Sequence, residues 1–135
     1  MKVVADTMIW VSYCTLKDGF RYRLIERARS QGVRLFVSEY ILDELCQTLV
    51  EDLELTRRYS SLARKAVLRS AKLVSLPSSI QRFVPGDAND DPIVQTALSA
   101  KADYLVTADR EILKLKKVRS LQIITASDFE RLLQP

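Results

Sequence analysis

The sequence predicts an α/β fold, a three-layer α/β/α sandwich around a central, mainly parallel sheet of four to five strands. Short apolar runs rich in β-branched residues alternate with longer segments of helical periodicity along the whole chain, which is the pattern βαβ units produce. The candidate strands read as continuous apolar runs, as they do where both faces of a sheet are covered. Start and stop signals fall at the joints, at Gly32 after a helix, Pro77 after a strand and Pro92 at a helix start.

KVVA (2–5) reads as a buried strand that could continue towards Trp10. FRYRLIERARSQ (20–31) mixes apolar and charged residues at helical spacing and stops at Gly32. VRLFV (33–37) is a second strand. Ser38 can cap the following helix, EYILDELCQTLV, whose apolar stripe is Leu42, Leu45 and Leu49. A long basic amphipathic helix is expected over 55–73, with Tyr59, Leu62, Ala66 and Leu73 as its stripe. LVSL (73–76) is a short strand closed by Pro77, and 77–91 is the main loop.

Pro92 suits the first position of the helix IVQTALSAKA. DYLVT (103–107) is a strand, a short helix runs from Asp109 to about Leu115, and LQIIT (121–125) is a further strand. Ser127 and Glu130 have the spacing of a capping box for a closing helix, DFERLL. No repeat, low-complexity segment or linker interrupts the series, so residues 1–135 are expected to form one domain.

Composition narrows the chemistry. The apolar fraction of 47 % and charged fraction of 28 % belong to a globular chain. No apolar run approaches the ~20 residues that span a bilayer. The apolar N-terminus is broken by Asp6 and reads as a strand rather than a signal peptide, so the expected location is the cytoplasm. The two cysteines, Cys14 and Cys46, are too few for a disulfide framework and are expected to behave as small buried hydrophobes. There is no histidine. That excludes His-based acid–base catalysis, Ser-His-Asp triads and His-ligated metals, and leaves carboxylates, hydroxyls, Lys, Tyr or an oxygen-bound metal.

The net charge of +4 is a weak signal, but its distribution is uneven. Arg57, Arg58, Arg64, Lys65, Arg69 and Lys72 fall in one stretch without an acid, and Lys114, Lys116, Lys117 and Arg119 form a second cluster. Such clusters are either solvated faces or seats for a phosphate backbone.

Ligands of open α/β sheets bind beyond the C-terminal ends of the strands. Asp6 follows the first strand, Asp90 and Asp91 open the IVQTAL helix, and Thr107 and Asp109 follow DYLV. Glu44 lies off the apolar stripe of its helix. Carboxylates gathered at one sheet edge repel one another unless some stay protonated or a hard cation neutralises them. Mg²⁺ or Mn²⁺ prefers such oxygen ligands and can activate water against a phosphodiester. Each acid also has a structural reading. Asp91 could cap the helix before Pro92, Asp109 could cap the next one, and Glu44 could be a surface acid. Asp6 is hardest to explain in that way, because a buried unpaired charge is costly. Trp10, Tyr13, Phe20 and Tyr40 could stack on bases, but such aromatics more often belong to a core or a dimer interface.

VVADT, SEYILDEL, DDPIVQTALSAKADYLVTAD and IITASDF, in that order and spacing, resemble the PIN-domain nucleases, and among them the toxin-like group related to VapC. The resemblance runs over nearly the whole chain. It implies a divalent-metal-dependent ribonuclease cutting single-stranded RNA, with Asp6, Glu44, Asp90 and Asp109 as ligands of Mg²⁺ or Mn²⁺. Asp91 is adjacent to Asp90 and could share or replace it. Thr107 matches a hydroxyl residue two before the last acid, and Thr7 and Ser38 match further polar positions. Met8 stands where the family often has Asn, which removes a hydrogen-bonding side chain but no carboxylate. Arg57, Arg58, Arg64, Lys65, Arg69, Lys116 and Lys117 would hold phosphates. The resemblance also implies a homodimer and an antitoxin partner that blocks the acidic pocket.

Three other functions compete with this reading. An inactive domain of the same fold could bind RNA or protein. A phosphatase or phosphoacceptor would need D-x-D after the first strand or an acidic pair near it, and Asp6-Thr7-Met8 supplies neither. The three glycines, Gly19, Gly32 and Gly86, form no phosphate-cradling loop.

Overall fold

The first strand ends sooner than its apolar run. In the computed structural model, which describes residues 1–135, β1 covers Lys2–Ala5 and helix α1 runs Thr7–Thr15. The expected continuation of the strand towards Trp10 does not occur. Asp6 takes the N-cap position in extended backbone, and Ile9, Trp10 and Tyr13 then turn inward with helical spacing.

Next come α2 (Phe20–Ser30), β2 (Arg34–Val37) and α3 (Glu39–Gln47). Gly32 follows α2 at φ 81°, a left-handed conformation that glycine adopts without Cβ strain. Ser38 caps α3 by accepting from the Ile41 amide, and Ile41, Leu42 and Leu45 are buried. A single π turn, Thr48–Asp52, extends α3 before α4 (Arg57–Ser70). The buried stripe of α4 is Ser60, Ala63 and Val67. The expected stripe is displaced: Leu62 and Leu73 are exposed, and Tyr59 and Ala66 only half-buried. The inner face carries small residues because α4 packs closely on α1 and α3, where the Cys14 and Cys46 thiols meet the Ala63 and Ser60 carbonyls. Both cysteines are free and half-buried.

The second half contains β3 (Lys72–Leu73), a 3₁₀ turn (Ala88–Asp90), α5 (Asp91–Ser99), β4 (Tyr104–Val106), α6 (Arg110–Leu113), β5 (Lys117–Val118), β6 (Leu121–Ile124) and α7 (Ala126–Leu132). Thr125, not Ser127, caps α7, accepting from the Asp128 amide, because the helix already begins at Ala126.

The sheet has six strands in the order β3-β2-β1-β4-β6-β5, all parallel except the β5–β6 pair. The strand beyond those expected is β5. Left-handed backbone at Lys116 and Arg119 folds it back on β6. Helices flank the sheet, with α5 against β1, β2 and β4, and 33 buried apolar residues form one core cluster. No helix is long and apolar enough to cross a membrane.

The chain steps outward from β1 to β2 and β3, then returns to lay β4 on the other side of β1. That reversal is a topological switch point, which opens a crevice beyond the C-terminal ends of β1 and β4.

Candidate active site

Register brings the first site residues together. Ala5 pairs with Val106, so Asp6 and Thr107 emerge side by side from neighbouring parallel strands. Both are buried, and the Thr107 hydroxyl donates to Asp6 Oδ2. The same hydroxyl accepts from the Asp109 amide at 3.0 Å. Asp109 caps α6, its Oδ1 accepting from the Glu111 and Ile112 amides at 2.8 and 3.1 Å. The helix-cap reading of Asp109 is therefore correct, and the residue also lines the crevice.

Glu44 comes from α3 and is half-buried, one turn after Tyr40. Thr7, the first residue of α1, donates to Glu44 Oε1 at 2.7 Å. Asp90 closes the 3₁₀ turn. Asp6, Glu44, Asp90 and Asp109 line one cavity of about 310 Å³, together with Thr7, Met8, Thr48, Ile93 and Ala108. A larger cavity of about 450 Å³ lies between α1, α2 and α4. Aromatic and aliphatic groups such as Tyr22, Tyr59 and Leu62 dominate its wall and Glu26 is its one acid, so the carboxylate chemistry belongs to the smaller cavity.

Burial and neighbouring charge act on Asp90, Asp6 and Glu44. Burial, then the charges of Asp109, Asp87, Asp6 and Glu44, push the Asp90 carboxyl up to about 7. Burial also raises Asp6, partly offset by the Thr107 hydroxyl, and raises Glu44, partly offset by Thr7. Tyr40, on the same face of α3 as Glu44, is pushed up to about 12 by burial and by the nearby carboxylates.

Asp91 points elsewhere. It is the first residue of α5, and its buried side chain accepts from the Phe83 and Val84 amides, both at 2.8 Å, while Oδ2 faces Arg82 Nε at 2.8 Å. Burial alone would raise its carboxyl. The two amides and the guanidinium together hold it below the ordinary value. Asp91 thus pins the loop before the 3₁₀ turn and does not line the cavity.

A family model described as PIN domain matches residues 2–111. The chain belongs to the PIN-domain family. No curated protein matches it in sequence. Its fold is similar to that of a chain in the crystal structure of VapBC2 from Rickettsia felis bound to a DNA fragment from their promoter. That match has a TM-score of 0.67 at 16 % identity and covers 93 % of this chain and 98 % of the other. A chain of VapBC-1 from nontypeable Haemophilus influenzae is similar with a TM-score of 0.64 at 18 % identity, covering 94 % and 99 %. At such identities the likeness is one of fold.

The donors of this PIN domain suit a hard divalent cation. The cavity offers carboxylate and hydroxyl oxygens and no nitrogen side chain, and its one sulfur is the weakly ligating thioether of Met8. Asp90 Oδ2 is buried without a hydrogen-bond partner, which is costly unless a proton or a cation meets it. No three acidic groups form a closed ligand set as they stand, so enclosing an ion would take side-chain rotation.

The remaining candidates are dispersed over the PIN domain. No basic residue lines the carboxylate cavity. Arg57, Arg58 and Lys65 are exposed on α4, while Arg64 is tied to both oxygens of Glu39 at 2.8 Å. Arg69 lines a separate groove with Arg29, Arg34 and Lys72. Lys116 and Lys117 are exposed at the β5 edge of the sheet. Ser38 is buried and bonds Thr96 at 2.7 Å, a structural link between α3 and α5. Trp10 and Tyr13 belong to the core, Phe20 is exposed, and Tyr40 is half-buried beside the site.

Two contributors were missed in the sequence. Asp87 adds negative charge at the cavity, and its Oδ1 accepts from the Asn89 amide at 2.9 Å. The D-x-N spacing is an Asx-turn signal that could have marked it. Thr48 lines the cavity four residues after Glu44, the helical repeat that could have found it.

Proposed function

We propose that this PIN domain is a divalent-metal-dependent endoribonuclease acting on single-stranded RNA, and the toxin of a toxin–antitoxin pair. The observation that carries the proposal is the convergence of four carboxylates from four chain segments on one switch-point cavity, with one oxygen of Asp90 buried and unpartnered. Asp6, Glu44, Asp90 and Asp109 would hold Mg²⁺ or Mn²⁺. Bound there, the ion would supply Lewis acidity for attack of water on a phosphodiester.

The protein's own residues have separate tasks in this reading. Thr107 holds Asp6 Oδ2 and the Asp109 amide with one hydroxyl, so two acids share one anchor. Thr7 fixes Glu44. Asp90 takes up a proton near neutrality when no cation is present, which relieves the repulsion among the acids. A narrow acidic cavity favours a single strand over a duplex. Exposed cations, Arg57, Arg58, Lys65, Arg69, Lys116 and Lys117, would position the phosphates outside it, with Arg64 joining when Glu39 releases it.

A homodimer, an antitoxin that occupies the acidic pocket and a cytoplasmic setting complete the proposal. Its support is the fold likeness to chains of two VapBC complexes. If the protein encoded beside this one does not bind it on co-expression, the toxin–antitoxin setting is lost.

The test of the activity is cleavage of labelled single-stranded RNA in Mn²⁺, in Mg²⁺ and in EDTA, with Asp6→Asn alongside. Cleavage that needs the cation and vanishes in Asp6→Asn is the expected result. Folded protein that neither cleaves RNA nor binds Mn²⁺ by calorimetry overturns the proposal in favour of a binding-only domain.

A further inference from the structure

Tyr40 lies four residues before Glu44 on α3, so the two side chains share a helix face. Its hydroxyl donates to the carbonyl oxygen of Asn89 at 2.8 Å. Asn89 immediately precedes Asp90 in the 3₁₀ turn. The turn's other bonds are local. The Asn89 amide donates to Asp87 Oδ1 at 2.9 Å, and the Asp90 and Asp87 amides donate to the Asp87 and Val84 carbonyls. Behind it, Asp91 grips the Phe83 and Val84 amides. The Tyr40 bond is therefore the one hydrogen bond that ties the turn itself to α3, and α3 is the element that carries Glu44.

When both are ionised, Glu44 and Asp90 push these two elements apart. A neutral donor counters that push without adding a charge of its own. A lysine or arginine at position 40 would neutralise the site and compete with any cation. A phenol has a single proton, and here it goes to the backbone carbonyl of Asn89, while the same hydroxyl lies close enough to Glu44 to favour its charged form slightly.

We propose that Tyr40 is a positioning residue whose hydroxyl, acting through the Asn89 carbonyl, fixes the gap between the Glu44 and Asp90 carboxylates and thereby sets the affinity of the site for a divalent cation. The inference rests on the carboxylate-site reading above and adds to it a residue outside the cavity wall.

The experiment compares wild type, Tyr40→Phe and Tyr40→Leu by Mn²⁺ calorimetry and by amide hydrogen exchange over residues 87–91. Loss of the hydroxyl should weaken Mn²⁺ binding about three- to tenfold in both variants, the range expected for one hydrogen bond. The Asn89 and Asp90 amides should exchange faster by a similar factor, while the thermal midpoint of Tyr40→Phe moves by no more than about 3 °C. A ring that merely packs gives a different pattern: Tyr40→Phe keeps wild-type affinity and exchange, and only Tyr40→Leu loses them. That result overturns the positioning role and leaves the carboxylate site intact. Wild-type protein that binds no Mn²⁺ removes both the site reading and this inference.

Discussion

Asp90 and Asp91 are joined by one peptide bond and face opposite walls of the same loop. Asp90 turns into the cavity among Asp6, Glu44 and Asp109, with one oxygen unpartnered, and its carboxyl is pushed up to about 7. Asp91 turns away, collects two backbone amides and a guanidinium, and is held below the ordinary value. One carboxylate is kept uncomfortable and available. The other is held by two amides on Oδ1 and an ion pair on Oδ2, and is structural. The difference arises from geometry alone: the 3₁₀ turn ends at Asp90 and α5 begins at Asp91, so the two side chains diverge.

Substitution should separate the two walls cleanly. Asp90→Asn should lower RNA cleavage by at least about 100-fold, since outer partners of a metal site alone cost 10–100-fold. It should leave stability unchanged or raised, because a repelled charge is removed. Asp91→Ala should do the reverse, costing about 2–3 kcal/mol in urea unfolding by stranding two amides and a guanidinium, while cleavage per folded molecule stays near wild type. If Asp91→Asn abolished cleavage in a protein of normal stability, the two roles would have to be exchanged.

The same contrast has a pH signature. Folded, Asp90 keeps its proton up to about 7; unfolded, it releases it near 3.8. Between those values the folded state binds more protons, so stability falls as pH rises through the window. Asp6 and Glu44 are raised and act in the same sense. Asp91 acts oppositely: its contribution is present above the ordinary carboxylate value and lost as pH falls through its lowered one. In EDTA the urea midpoint should therefore be lower at pH 8 than at pH 5, and Asp90→Asn should flatten that slope. A saturating divalent cation, at 100 times its dissociation constant, should restore about 2.7 kcal/mol at pH 8.

Smaller effects sharpen the picture at the anchors. Thr107→Val removes the hydroxyl shared by Asp6 and the Asp109 amide and should lower cleavage about tenfold. Ser38→Ala breaks only the buried link to Thr96 and the cap of α3, so it should cost about 1 kcal/mol in unfolding and leave cleavage untouched. A large activity loss in Ser38→Ala would show that α3 and α5 transmit strain to the cavity.

Much of this architecture is legible in the sequence. Strand–helix alternation predicted the sheet, and the position of acids just after strands predicted which edge would gather them. The misreadings have physical causes. KVVADTMIW is apolar enough for a longer strand, but Asp6 ends it as an N-cap. The stripe of α4 was misplaced because close helix packing selects Ser60, Ala63 and Val67, whereas hydrophobicity favours the larger Leu62. The β5 hairpin depends on left-handed residues that are not glycine, which no local pattern advertises.

By itself the sequence determined the α/β class, the absence of histidine chemistry and the candidate acids, because periodicity and composition are local properties. Only the tertiary structure separated Asp90 from Asp91, paired Thr107 with Asp6 and brought Tyr40 to Asn89. Those contacts join residues 49 to 101 positions apart or depend on where a turn ends, and both are settled by how the sheet reverses and the helices pack.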